Sequence, residues 1–170
     1  IMNDAQQNRI LTFINPEADP WGEGYHITQS KIAIGSGGLT GKGLFREGTL
    51  SQLDYLPAKH TDFIFAVTAE SFGFIGAVFV IILYGLLMYR MLYLSSKAKD
   101  KLGTLLIIGV FSMFAFHIFE NIGMTIGLMP ITGVPLPFMS YGGSSFITNS
   151  IAIGLVMSVA MRRGKSIYAA

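Results

Sequence analysis

The sequence contains no cysteine, which excludes disulfides and thiolate metal centres. Charge is scarce as well. Asp, Glu, Lys and Arg make up 13% of the 170 residues and the formal net charge is +2, so there is no basic footprint for a nucleic-acid partner. No basic-then-apolar leader opens the chain, which begins at Ile1, and the expectation is a piece of a longer protein. No period of roughly 20–50 residues recurs, so a repeat architecture is not expected. What the chain has in excess is oil: 51% hydrophobic residues and a mean hydropathy of +0.53, too much for an ordinary soluble domain.

The apolar residues are gathered into runs. A helix needs about 20 mostly apolar residues to cross a bilayer, and residues 63–87, 105–128 and 146–161 qualify, the last by starting near Ser144. The fold class expected is an all-α polytopic membrane protein with three transmembrane helices and a large, partly helical outer loop. The expected boundaries are an outer segment 1–62, a helix 63–94, an inner loop 95–104, a helix 105–128, an outer Pro/Gly loop 129–143, a helix 144–161 and an inner tail 162–170. Orientation follows from the cations. Arg90, Lys97, Lys99 and Lys101 lie between the first two runs, and Arg162, Arg163 and Lys165 follow the third. Three crossings put both sets on one side, which the positive-inside rule makes cytoplasmic.

The outer segments are not plain linkers. "YHITQSKIAI" reads as a short helix. "GSGGLTGKG" then places five glycines among nine residues, which suggests a phosphate loop. That reading fails, because Ser36 stands where the first glycine belongs and Gly43 where Ser or Thr must follow Lys42. Two readings remain: a backbone that needs positive angles or close approach, or a flexible surface turn. In "MPITGVPLPFMSYGGSS", Pro130, Pro135 and Pro137 forbid continuous helix although the stretch is apolar. Irregular backbone of this kind belongs packed within protein. Its end can cap the third helix through Ser144 or Ser145, and a helix N-terminus facing a cavity is also an anion site.

Titratable residues stand out against this background. In "PAKHTDFIF", Lys59, His60 and Asp62 precede the first run. Asp62, like Thr61, is suited to cap the helix that follows. It is equally placed to act as a general base at the outer membrane face, with Lys31, Lys42, Arg46, Lys59 and His60 able to keep it ionised or hold an anionic substrate. If the helix starts at Asp62, Glu70 falls about 80° round and about 12 Å deeper. Glu70 is then either an intramembrane site or an acid snorkelling to the interface. His117, Glu120 and Asn121 share one face of the second run. Two ligands are a weak metal signal, and interhelical hydrogen bonding is the favoured reading. Trp21, Tyr25 and Tyr55 suit either sugar stacking or interfacial anchoring.

The strings "FINPEADPWGEGYHITQSKIAIGSGGLTGKG", "SQLDYLPAKHTDFIFAV", "NIGMTIGLMPITGVPLPFMSYGGSS" and "GLVMSV" resemble the SEDS family (shape, elongation, division, sporulation), the group of FtsW, RodA and SpoVE. The resemblance covers nearly the whole chain. "SQLDYLP" and "GLMPITG" look more like the rod-shape branch than the division branch. It implies a C-terminal piece of a bundle of about ten helices, embedded in the bacterial cytoplasmic membrane. The activity implied is a peptidoglycan glycosyltransferase that polymerises lipid II beside a class B penicillin-binding protein. The family's essential aspartate matches Asp62. Lys42, Lys59, His60, Ser140, Tyr141, Gly142, Gly143 and Ser144 are the expected substrate contacts. A divalent cation, Mg or Mn, is one way to neutralise the diphosphate. The family usually has an acid where Ala58 stands and often a second where Ser71 stands. His117 and Glu120 are not general features of it. A lipid flippase and a scaffold for the penicillin-binding protein are the rival readings, and the piece alone is expected to be inactive.

Overall fold

A computed structural model describes residues 12–13, 22–43 and 61–162. These residues contain helices and connecting segments but no strand. Helix α1 spans Glu23–Ser36, α2 Ile64–Ser96, α3 Lys101–Ile126 and α4 Gly143–Met161. The last three are each long and apolar enough to cross a membrane. Their apolar side chains point outward as well as inward: Phe74 is 63% exposed, Ile82 60% and Leu105 66%. Such a surface is stable against lipid or further protein and not against water.

Helices α2 and α3 pack against each other most extensively, α1 packs on both, and α4 packs on α3 and, less, on α2. One apolar cluster joins Phe65, Ala69, Ala77 and Tyr84 of α2 to Leu136 of the loop between α3 and α4. A second joins Met91, Ile107, Phe114, Ala152 and Val156. Polar residues fasten the layers where the main chain needs partners. Ser30 of α1 donates to the Thr125 carbonyl at 2.8 Å, and Tyr84 donates to the Pro137 carbonyl at 2.6 Å. Helix α3 stops at Gly127, in the left-handed region (φ 76, ψ 29), and the Leu128 N–H turns back to the Gly123 carbonyl at 2.8 Å, a glycine stop of the usual kind.

Helix α2 is not the uninterrupted span that its composition suggests. It breaks at Gly73 (φ 70, ψ −167). A break there leaves the carbonyls of Glu70 and Ser71 without the N–H groups of Phe74 and Ile75. The glycine-rich loop replaces what was lost. Lys42 N–H donates to the Glu70 carbonyl (3.0 Å) and Gly43 N–H to that of Ser71 (2.9 Å). Phe74 N–H donates to the Gly38 carbonyl (2.8 Å) and Ile75 N–H to that of Leu39 (3.2 Å). The loop is therefore a docked backbone and not a free surface turn. Close approach is why glycines are needed: a Cβ on Gly41 would overlap the Ser71 carbonyl, and one on Gly73 would overlap the Gly41 amide.

The break also relocates the spanning part of α2. Residues 74–96 alone measure roughly 35 Å at 1.5 Å per residue, enough for the hydrocarbon core. The first helical stretch and the docked loop then sit together at one end of the span. With the orientation read from the cations, cysteines introduced singly at Thr40 and Ser96, both exposed, should behave oppositely in intact cells. In a cysteine-free background, an impermeant maleimide should modify the first and spare the second. The reverse pattern would overturn the orientation.

Candidate active site

Asp62 lies in the turn immediately before α2 and is half-buried. The N-cap of α2 is Phe63, with no side-chain cap bond, so Asp62 does not cap the helix. Nor does the helical-wheel relation to Glu70 apply, since Asp62 is outside the helix. Its carboxylate faces the loop between α3 and α4: Oδ2 is 3.6 Å from where a Cβ on Gly133 would stand. Gly133 has φ 70, so the loop turns there and leaves the carboxylate room.

The backbone on either side of this carboxylate is tied down. Asn121 of α3, fully buried, donates from Nδ2 to the Asp62 carbonyl at 2.9 Å and to the Val134 carbonyl at 2.8 Å. Ser140 donates to the Thr61 carbonyl at 2.5 Å and accepts the Leu136 N–H at 2.8 Å. Glu120, also buried, accepts from the Thr132 hydroxyl at 3.0 Å. Phe138, with φ 61, turns the chain towards α4 and stacks on Phe114, with Phe146 edge-on.

A cavity of about 500 Å³ opens beside this turn. It is lined by Ile64, Met139, Ser140, Tyr141, Gly142, Gly143 and Phe146. Tyr141 is 82% exposed. Helix α4 begins here with Gly142 as its N-cap and no side-chain cap bond. The expected serine cap is absent because Ser144 and Ser145 are already inside the first turn, where the Ser145 hydroxyl donates back to the Gly142 carbonyl at 2.9 Å.

The expected site residues are thus partly assembled. Asp62, Ser140, Tyr141, Gly142 and Gly143 gather around the turn and the cavity. Ser144 lies in the first turn of α4 and is exposed, and its carbonyl accepts from the Thr148 hydroxyl at 2.9 Å. Ser140 spends its hydroxyl on the fold. Lys42 is elsewhere, paired with the fully buried Glu70 at 3.1 Å. Glu70 is therefore a buried partner and does not snorkel. Lys31 covers Gly127, where a Cβ would overlap its side chain. Lys59 and His60, with Trp21, Arg46 and Tyr55, lie outside the described residues. His117 does not join Glu120 and Asn121: its Nδ1 is buried with no partner among the described residues. The bonds of Glu120 and Asn121 run to loops and not, as expected, to a neighbouring helix. Sequence reasoning missed what Asn121 does, although an amide on the inward face of an apolar run was a signal for a buried polar anchor.

The family model for the cell cycle proteins FtsW, RodA and SpoVE matches residues 1–165. The chain is 48% identical over 163 residues to the peptidoglycan glycosyltransferase MrdB of Escherichia coli K12, covering 96% of this chain and 44% of that protein. It is also 48% identical over 163 residues to the peptidoglycan glycosyltransferase RodA of Treponema pallidum, covering 96% of this chain and 37% of that one. A solved chain from a peptidoglycan synthase complex that coordinates polymerization and crosslinking superimposes with a TM-score of 0.73. It is 32% identical and the match covers 97% of this chain and 44% of that one. The chain therefore spans less than half the length of the relatives it matches.

Proposed function

This chain belongs to the FtsW, RodA and SpoVE family of cell cycle proteins, and on that premise we propose that the whole protein polymerises lipid II into glycan strands, with Asp62 as general base. The observation that carries this reading is the Asp62 turn itself: a half-buried carboxylate, not used as a helix cap, in a turn whose neighbours Ile64 and Ser140 line a cavity at the end of a long apolar helix. The relatives' names point to the same chemistry.

The acceptor is a sugar hydroxyl, a poor nucleophile at neutral pH. As its oxygen attacks the anomeric carbon of the donor, its proton passes to the Asp62 carboxylate. The bond from that carbon to the lipid diphosphate breaks, and the diphosphate leaves with the electron pair. A single displacement inverts the centre. The diphosphate leaves readily without the second carboxyl, acting as acid, that glycosidases need. It does need its charge balanced. The start of α4, where Gly142 and Gly143 line the cavity without side chains, suits that demand. Among the described residues no three His, Asp or Glu side chains converge as a metal site. Asp62 stands two residues before Ile64 of the cavity wall, with its carboxylate facing Gly133.

The same reading places the protein in the bacterial cytoplasmic membrane, with the reacting groups at its outer face and a class B penicillin-binding protein as partner. Purified full-length protein with that partner should convert lipid II to glycan strands, detected as polymer on gels after labelling. Residues 1–170 alone should make none, because the cavity described is open and the relatives supply more than half of their length from elsewhere. Transport of lipid II across vesicles by the full-length protein without any polymer would favour the flippase reading instead.

A further inference from the structure

We propose that Asn121 is a positioning residue for Asp62, an inference that rests on the general-base reading above. A side-chain amide has two N–H donors on one nitrogen. In Asn121 that nitrogen is given both to the Asp62 carbonyl and to the Val134 carbonyl. Because both partners are carbonyl oxygens, the amide can stand only one way round. These two acceptors are the residue that bears the base and a residue of the loop its carboxylate faces. The neighbouring Glu120 holds the Thr132 hydroxyl. Adjacent residues of α3 therefore grip both sides of Gly133, the glycine opposite the Asp62 carboxylate.

The amide makes two bonds and leaves one acceptor over. The Oδ1 atom of Asn121 is buried with no partner among the described residues, and an orphaned buried acceptor carries a desolvation cost. An apolar side chain would avoid that cost but could not bridge two carbonyls. What the amide supplies is a fixed separation between the Asp62 backbone and the 132–134 turn. The turn preceding α2 has no side-chain cap; Ser140 holds its Thr61 carbonyl, and Asn121 links its Asp62 carbonyl to Val134. A displacement of about 1 Å at a reacting centre can cost about 10²-fold in rate.

The test uses full-length protein with lipid II. Asn121→Ala removes both bonds, and Asn121→Asp keeps the volume but not the paired donors. Both should lower kcat per folded molecule by about 10- to 100-fold, with KM for lipid II within about twofold. Ile107→Ala, buried in the cluster around Met91 and Phe114, is the control. It should lower thermal stability while leaving kcat per folded molecule unchanged. The proposal is overturned if Asn121→Ala keeps the parent kcat per folded molecule, if Asn121→Asp retains the parent rate, if the loss lies in KM and not in kcat, or if both variants fail to fold. Polymer made at the parent rate by an Asp62→Asn variant would instead remove the general-base reading.

Discussion

Asp62→Asn in the full-length protein should lower lipid II polymerisation by about 10²–10⁴-fold, the range that a lost general base costs. Folding should survive. The side chain is half-exposed and does not cap α2, and the Asn121 bond is made to the Asp62 main-chain carbonyl, which the substitution leaves in place. The amide has nearly the shape of the carboxylate and fits opposite Gly133. It cannot accept the hydroxyl proton. The measurement is polymer formed per unit time, read beside monodispersity and melting temperature. An asparagine variant that polymerises at the parent rate with unchanged yield would make Asp62 a bystander of the turn. Asp62→Ala should be equally inactive, since neither side chain takes a proton.

The second large effect is on folding. Gly41→Ala should destabilise the protein by about 2–5 kcal/mol, from roughly 1–3 of overpacking and roughly 1–2 of left-handed strain. Gly41 has φ 79, and its Cβ would overlap the Ser71 carbonyl. Relief requires the loop to lift. Lifting removes the bonds from Lys42 and Gly43 to the carbonyls exposed by the break in α2 and separates Lys42 from the buried Glu70, which then has lost its described cation partner. Gly35→Ala, six positions earlier in the same glycine-rich stretch, is the contrast. Gly35 is helical and exposed with open space around it, so alanine there should be neutral or stabilise by about 0.5–1 kcal/mol. Thermal unfolding in detergent distinguishes them. Equal behaviour of the two variants would mean that the docked loop contributes nothing to stability.

The three spans were legible because hydrocarbon length and apolar run length are one-dimensional quantities: a run of sufficient oil predicts a crossing wherever it falls. Their ends were less so. Helix α2 runs on to Ser96 and α3 begins at Lys101, so the inner connection is shorter than the 95–104 expected, the charged residues being no obstacle to helix. The α1 helix was also readable from local composition; for the glycine stretch composition left two readings, and the bonds to α2 decide for close approach. The position of Asp62 just before the first run was visible in "HTDFIF" alone.

The break in α2 was not visible. Gly73 in "SFGFIGA" looks like a tolerated helix glycine, and what makes it a break is a loop some 30 residues earlier that supplies the missing hydrogen-bond partners. Glu70 likewise read as an acid in lipid until the fold brought Lys42 to it. Asn121 read as one of three polar residues on a helix face until the fold placed it between Asp62 and Val134, separated from them by 59 and 13 positions. Sequence alone determined which segments are oily enough to cross and which titratable residues stand at their ends, because both depend on composition and order along the chain. Tertiary structure alone decided which polar groups meet, because a buried donor or acceptor must be satisfied by whatever packing brings near it, and that neighbour is set in three dimensions.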